Sequence, residues 1–136
     1  MKNQVIILLS TLFCSFIFIT SIQAQETIFD KLNVIAIVDE KVMMPMRDGV
    51  RLASDIYRPK EAGKYPIIFS RTPYNFNSWG DGEQRTRTAN RAYEYVKKGY
   101  AYVVQNERGR FYSEGEWDIL GVPLTDGYDA FEWMKN

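Results

Sequence analysis

The sequence predicts an α/β chain, and three of its features carry that prediction. Ile67-Ile68-Phe69 and Ala101-Tyr102-Val103-Val104 are apolar at consecutive positions, as strands covered on both faces are. Between them Ala89, Ala92, Tyr93 and Val96 recur at helical spacing, so strand, helix and strand follow one another in the order of a parallel crossover. Ahead of both runs, Asp48-Gly49 separates two apolar segments, a strong short-range sign of a hairpin. The predicted sheet opens with an antiparallel hairpin and continues as parallel strands with flanking helices.

Residues 1–24 differ in kind from the rest. Lys2 precedes an apolar stretch from Val5 to Ile19, and Ser21-Ile22-Gln23-Ala24 follows it, which is the layout of a secretory signal cleaved after Ala24. The competing reading is an uncleaved anchor, but the apolar core falls short of the roughly 20 residues that a spanning helix needs. Cys14, the single cysteine, lies inside this segment, and Phe13 before it is too large for a lipid-modified cysteine. The mature chain is thus expected to be exported, to a periplasm or the cell exterior, without a thiol and without membrane attachment.

Residues 25–33 read as a linker. Segments 34–38 and 41–46 are strand-like; after Asp48-Gly49, Val50, Leu52 and Ile56 alternate with Arg51 and Asp55, the pattern of a strand with one wet face. Pro59 and Gly63 mark a turn before the interior strand at Ile67. Pro73 has no N–H to give a ladder and biases Thr72 toward extended geometry, so pairing should end there and leave Tyr74 at the strand's exit. In an open α/β sheet, that exit is where ligands bind. The loop that follows holds Trp79 and Gly80-Asp81-Gly82, which lack the Lys-Ser/Thr pair or third glycine of a phosphate cradle. Lys97, Lys98 and Gly99 close the helix, and the strand from Ala101 runs into a charged, glycine-punctuated loop over residues 105–117. From Asp126 onward Tyr128, Phe131 and Met134 fall nearly on one helical face. A parallel sheet must be covered on both faces, and this one has few strands, so the segment reads as the front of a larger domain.

Composition removes several function classes. The chain carries 17 basic and 17 acidic side chains, and Lys2 is the only charged residue before Gln25, so the mature part is nearly neutral and has no electrostatic case for binding nucleic acid. There is no histidine, which rules out a Ser-His-Asp triad within these residues, and none of Ser54, Ser70, Ser78 and Ser113 sits in a G-x-S-x-G elbow. Without histidine or a mature cysteine, and with dispersed carboxylates, no metal or other cofactor is predicted. Residue chemistry leaves Tyr74 open between an amphipathic residue packed at a strand end and a phenol able to donate to an oxyanion. Arg108 and Arg110 read as a salt-bridged loop clamp, with Glu114 and Glu116 as partners, or else as a contact for a substrate anion. Trp79 and Trp117 read as loop packing or pocket lining.

Taken together, Met46-Arg47-Asp48-Gly49-Val50-Arg51-Leu52, Arg71-Thr72-Pro73-Tyr74, Gly99-Tyr100-Ala101, Arg108-Gly109 with Ser113-Glu114-Gly115, and Asp126-Gly127-Tyr128-Asp129 resemble the start of the CocE/NonD hydrolases. That family includes cocaine esterase, Xaa-Pro dipeptidyl-peptidases and α-amino acid ester hydrolases. The resemblance covers about residues 38–136 and implies an incomplete α/β-hydrolase fold over residues 34–136, ending before the nucleophile elbow. It implies a serine hydrolase that forms an acyl-enzyme on small ester, amide or short-peptide substrates, with a Ser-Asp-His triad, helical cap and jelly roll lying outside this chain. The chain alone is then expected to be inactive. The resemblance also makes Tyr74 the side-chain donor of the oxyanion hole. A secreted binding module without catalysis, or a decayed remnant, stands as the alternative.

Overall fold

The computed structural model describes residues 25–76, 83–119 and 124–135. The expected signal at 1–24, together with Trp79 and Gly80-Asp81-Gly82, lies outside the described residues. In chain order the elements are α1 (Ile28–Ile35), β1 (Ala36–Pro45), β2 (Arg51–Pro59), β3 (Ile67–Thr72), α2 (Glu83–Val96), β4 (Ala101–Asn106) and α3 (Leu124–Met134). The four strands form one sheet in the order β1-β2-β4-β3. β1 and β2 are the predicted antiparallel hairpin, β2 pairs antiparallel with β4, and β3 lies parallel to β4 in register from Ile67 opposite Ala101 to Thr72 opposite Asn106.

Local chemistry explains the hairpin. Met46 N–H donates to the Val50 carbonyl at 2.8 Å, and the Asp48 carboxylate accepts from Val50 N–H at 3.1 Å. Gly49 takes the left-handed φ of 86° that closes the turn. Val34 and Ile35 of the first strand-like run close α1 instead, and the rest of the two runs before the turn forms one strand with a bulge between Asp39 and Val42, where Lys41 has φ 56° and its N–H donates to Asp55 Oδ1 at 2.9 Å.

Alternation along β4 divides the core in two. Tyr102 and Val104 meet Leu32, Tyr57, Ala89, Ala92 and Val96 on the side of α1 and α2. Val103 points the other way, to Met44, Leu52 and Ala130 on the side of α3. All six residues of β4 are buried.

Four expectations are corrected. The linker at 25–33 is instead largely helix: Thr27 and Asp30 form a reciprocal capping box, Thr27 N–H to Asp30 Oδ2 at 2.9 Å and Asp30 N–H to Thr27 Oγ1 at 3.2 Å, and Leu32 is buried in the core with Tyr57 and Ala92. The wet face of β2 is also absent, because β2 lies between β1 and β4 with helices over the sheet. Ser54 and Asp55 are fully buried and hydrogen-bonded there. On α3, Met134 packs against the core, but Tyr128 and Phe131 are 60% and 52% exposed, while Asp126 and Ala130 are buried. β3, read as interior, pairs only with β4 among the described residues and is half-buried.

Candidate functional site

The C-terminal edge of the parallel pair gathers the polar residues. β3 ends at Thr72, and Tyr74 stands two residues beyond it with 74% of its surface exposed. Its ring borders a cleft of about 310 Å³ whose walls include Ser70, Thr88, Arg91 and Tyr102. A larger, more apolar groove of about 720 Å³ is lined by Ile67 and Ala101, the starts of β3 and β4, and by Phe131 and Met134. That groove sits at the opposite end of the strands from Tyr74.

The backbone around Tyr74 is held closely. Tyr74 N–H donates to Thr72 Oγ1 at 3.1 Å, and the Tyr74 carbonyl accepts from Asn106 Nδ2 at 3.0 Å. Arg110 Nε donates to the Pro73 carbonyl at 3.0 Å. The Thr72 carbonyl accepts from Glu107 N–H at 3.1 Å and from Asn106 Nδ2 at 3.3 Å.

The donors to these carbonyls come from the end of β4 and the loop after it, and that loop's own sequence fixes its path. Gly109 has φ 67°, and a Cβ there would stand 2.6 Å from the Glu116 carbonyl carbon. Gly115 has φ 85°, with the Arg108 side chain 2.7 Å from where a Cβ would be. Only glycine fits either position. Ser113 Oγ accepts from Ala53 N–H at 2.9 Å and donates to the Asn106 carbonyl at 3.0 Å, which ties the loop to β2 and β4 together. Gly109 N–H closes onto the Glu114 carbonyl at 2.9 Å.

The arginines act as clamps. Arg108 donates to both oxygens of the buried Asp126, at 2.7 and 3.2 Å, and to Asp48 Oδ2 at 2.7 Å. These bonds raise the Arg108 pKa, and the guanidinium holds the Asp48 carboxyl below the usual carboxylate range. Arg71 donates to Gln105 Oε1 at 2.7 and 3.0 Å and to the Asp126 carbonyl at 2.7 Å; burial lowers its pKa. Arg110 lies over the Trp117 ring at 4.5 Å, and Trp117 Nε1 donates to Glu107 at 3.1 Å, so Trp117 is loop packing. The pairing differs from the sequence expectation: Glu114 is the partner of Arg51, and the partners of Arg108 are aspartates from the hairpin turn and α3. Asn106, assigned from the sequence only to the loop over 105–117, ends β4 and holds two carbonyls at the exit of β3, and Asp126, expected at the start of α3, is the buried partner of Arg108. A signal existed for Asn106, since Gln105-Asn106 are polar residues closing an otherwise apolar strand.

Among the described residues no group of three His, Cys, Asp or Glu side chains could hold a metal ion. At this edge the exposed Tyr74 phenol stands on a held backbone, where it can donate a hydrogen bond but cannot by itself attack a substrate.

This sheet, with its hairpin start, parallel crossover and loop-bearing edge, is the opening portion of an α/β hydrolase. Residues 48–136 match the X-Pro dipeptidyl-peptidase (S15) family, and the chain belongs to that family of hydrolases. It is 42% identical over 98 residues to the cocaine esterase of Rhodococcus sp. (strain MB1 Bresler), a match that covers 71% of this chain and 16% of the esterase. Among solved structures it is similar to an α-amino acid ester hydrolase, with TM-score 0.59 and 30% identity over 88% of this chain and 22% of that one. It is also similar to an aminopeptidase from a marine sediment Thaumarchaeota archaeon, with TM-score 0.58 and 31% identity over 88% and 21% of the two chains. The chain therefore spans about a fifth of the length of these relatives.

Proposed function

We propose that this chain is the N-terminal part of an exported serine hydrolase that cleaves ester or amide bonds through an acyl-enzyme, with aminoacyl or dipeptidyl groups as the favoured acyl class. Tyr74 is assigned as one oxyanion-hole donor. The observation that carries this reading is an exposed phenol at the C-terminal edge of β3 on a backbone held by Thr72, Asn106 and Arg110. The names of the similar proteins, an esterase, an ester hydrolase and an aminopeptidase, support the substrate class.

A serine supplied from outside these residues attacks the substrate carbonyl, and negative charge develops on the carbonyl oxygen. The Tyr74 hydroxyl donates to that oxygen, beside the backbone N–H that follows the nucleophile. Such a bond strengthens as charge develops, so it lowers the barrier more than it tightens substrate binding. Because the chain contains no histidine, it has no general base of the triad type, and the 136 residues alone are expected to show no hydrolysis.

The deciding experiment is Tyr74→Phe in a full-length enzyme carrying this segment. We expect kcat to fall roughly 10²-fold or more with KM little changed; an unchanged kcat removes Tyr74 from the oxyanion hole. For export, N-terminal sequencing of the secreted product is expected to begin at Gln25, and recovery of an intact Met1 end contradicts cleavage.

A further inference from the structure

Three consecutive carbonyls at the exit of β3, those of Thr72, Pro73 and Tyr74, are all taken by donors from residues 106–110. A loop at a protein surface can leave such carbonyls to water. Here they are met by side chains that are themselves fixed. Asn106 is the last residue of β4, only 1% exposed, and its own carbonyl is held by Ser113 Oγ. Arg110 is stacked on Trp117, which is bonded in turn to Glu107. The Tyr74 ring presents the opposite case, because at 74% exposure packing does little to place it. The direction in which its hydroxyl reaches is set chiefly by where the backbone aims Cβ.

We propose that Asn106 and Arg110 are positioning residues for Tyr74, holding the backbone of residues 72–74 so that an otherwise loosely packed phenol meets the developing oxyanion. This rests on the oxyanion role proposed above and extends it to the end of β4 and the loop that follows it. An oxyanion donor acts only within about 2.7–3.1 Å of the charged oxygen, and a displacement of about 1 Å at a reacting centre can cost roughly 10²-fold in rate. Asn106 and Arg110 brace adjacent carbonyls, so loss of either allows a peptide at the strand exit to rotate.

The test is a double-mutant cycle in the full-length enzyme, with hydrolysis of a p-nitrophenyl ester as the readout. Asn106→Ala and Arg110→Ala are each expected to lower kcat roughly tenfold or more and to leave KM within about twofold, whereas Arg110→Lys, which keeps a donor, recovers most of the rate. In a Tyr74→Phe background the same substitutions are expected to change kcat by less than about twofold, because no hydroxyl remains to be aimed. Equal losses in both backgrounds, or no loss in the wild-type background, overturn the positioning role and leave Tyr74 as a donor. If Tyr74→Phe itself has no effect on kcat, the oxyanion reading falls and takes this inference with it. Should Asn106→Ala fail to fold, the two Arg110 variants decide the matter, since that side chain lies nearer the surface.

Discussion

Along the β2–β4 seam Leu52, Ser54, Asp55 and Gln105 are fully buried, whereas on β3 and α3 the apolar residues Ile67, Phe131 and Trp133 are 37%, 52% and 37% exposed. The residue types on the two flanks do not explain this difference, since the sealed flank holds an aspartate, a serine and a glutamine. At the seam every strand has a neighbour on each side and Ser54, Asp55 and Gln105 all make hydrogen bonds: Gln105 Nε2 donates to Ser54 Oγ at 3.0 Å, Gln105 Oε1 accepts from Arg71, and Asp55 Oδ1 accepts from Lys41 N–H at 2.9 Å. At β3 one side of the strand is paired among the described residues, and α3 is tied at its first turns by the ion pairs of Arg108 with Asp126 and Arg47 with Asp129, with Ala130 and Met134 packed on the core. Burial therefore follows the number of neighbours that a segment has, and polar residues are tolerated where each finds a partner.

The contrast breaks first at the loop that joins the two flanks. Gly109→Val puts a branched side chain at φ 67° against the backbone of residues 116 and 117, and should cost more than about 4 kcal/mol or prevent folding, as read by urea denaturation. A tolerated valine contradicts the tight loop. At the seam, Leu52→Ala removes a fully buried side chain and should cost about 3 kcal/mol. Asp126→Asn keeps the shape but weakens the bonds to Arg108, for a loss of about 2 kcal/mol. Phe131→Ala, in this chain, should cost less than about 1 kcal/mol despite the larger side chain, because half of the ring is already in water. A loss as large as that of Leu52→Ala erases the distinction between the flanks.

Acidification tests the ion pairs and gives the smallest effect. Arg108, Arg47 and Arg51 hold the carboxyls of Asp48, Asp129 and Glu114 below their usual values. A carboxyl whose pKa is depressed on folding contributes stability above its unfolded pKa of about 4 and loses it as pH falls through the folded value. The urea midpoint is expected to hold from pH 7 to about 5 and to fall toward pH 3, with a shallower fall in Asp129→Asn. A midpoint independent of pH over that range shows that these pairs add nothing to stability.

Much of the frame was legible because it rests on short-range rules. Asp48-Gly49 demands a tight turn, Pro73 stops a ladder, Gly99 ends a helix with φ 82°, and apolar runs flanking a helical pattern give the parallel pair. The helix at Ile28–Ile35 departs from the linker expected at 25–33 although its capping box stands in Thr27 and Asp30, because eight residues are too few for a helical period to stand out beside the strand-like run that follows. On α3, periodicity shows that apolar residues share a side but not how far that side is covered: Met134 packs on the core, Phe131 is half exposed, and the ion pairs to Arg108 and Arg47 engage Asp126 and Asp129 on another side of the helix.

The sequence by itself determined where the strands, turns and glycine-dependent bends fall and that Tyr74 follows a strand end, because those depend on backbone sterics and on neighbours a few residues apart. Only the tertiary structure decided that Asn106, Arg110 and Glu107 hold the carbonyls of residues 72–74 and that Asp126 lies buried beneath Arg108. Those partners lie 18 to 37 positions apart in the chain. No local rule pairs them; residues 72–74 meet 106–110 because β3 and β4 run side by side and open their loops at the same edge, and Asp126 meets Arg108 because the start of α3 packs against the loop after β4.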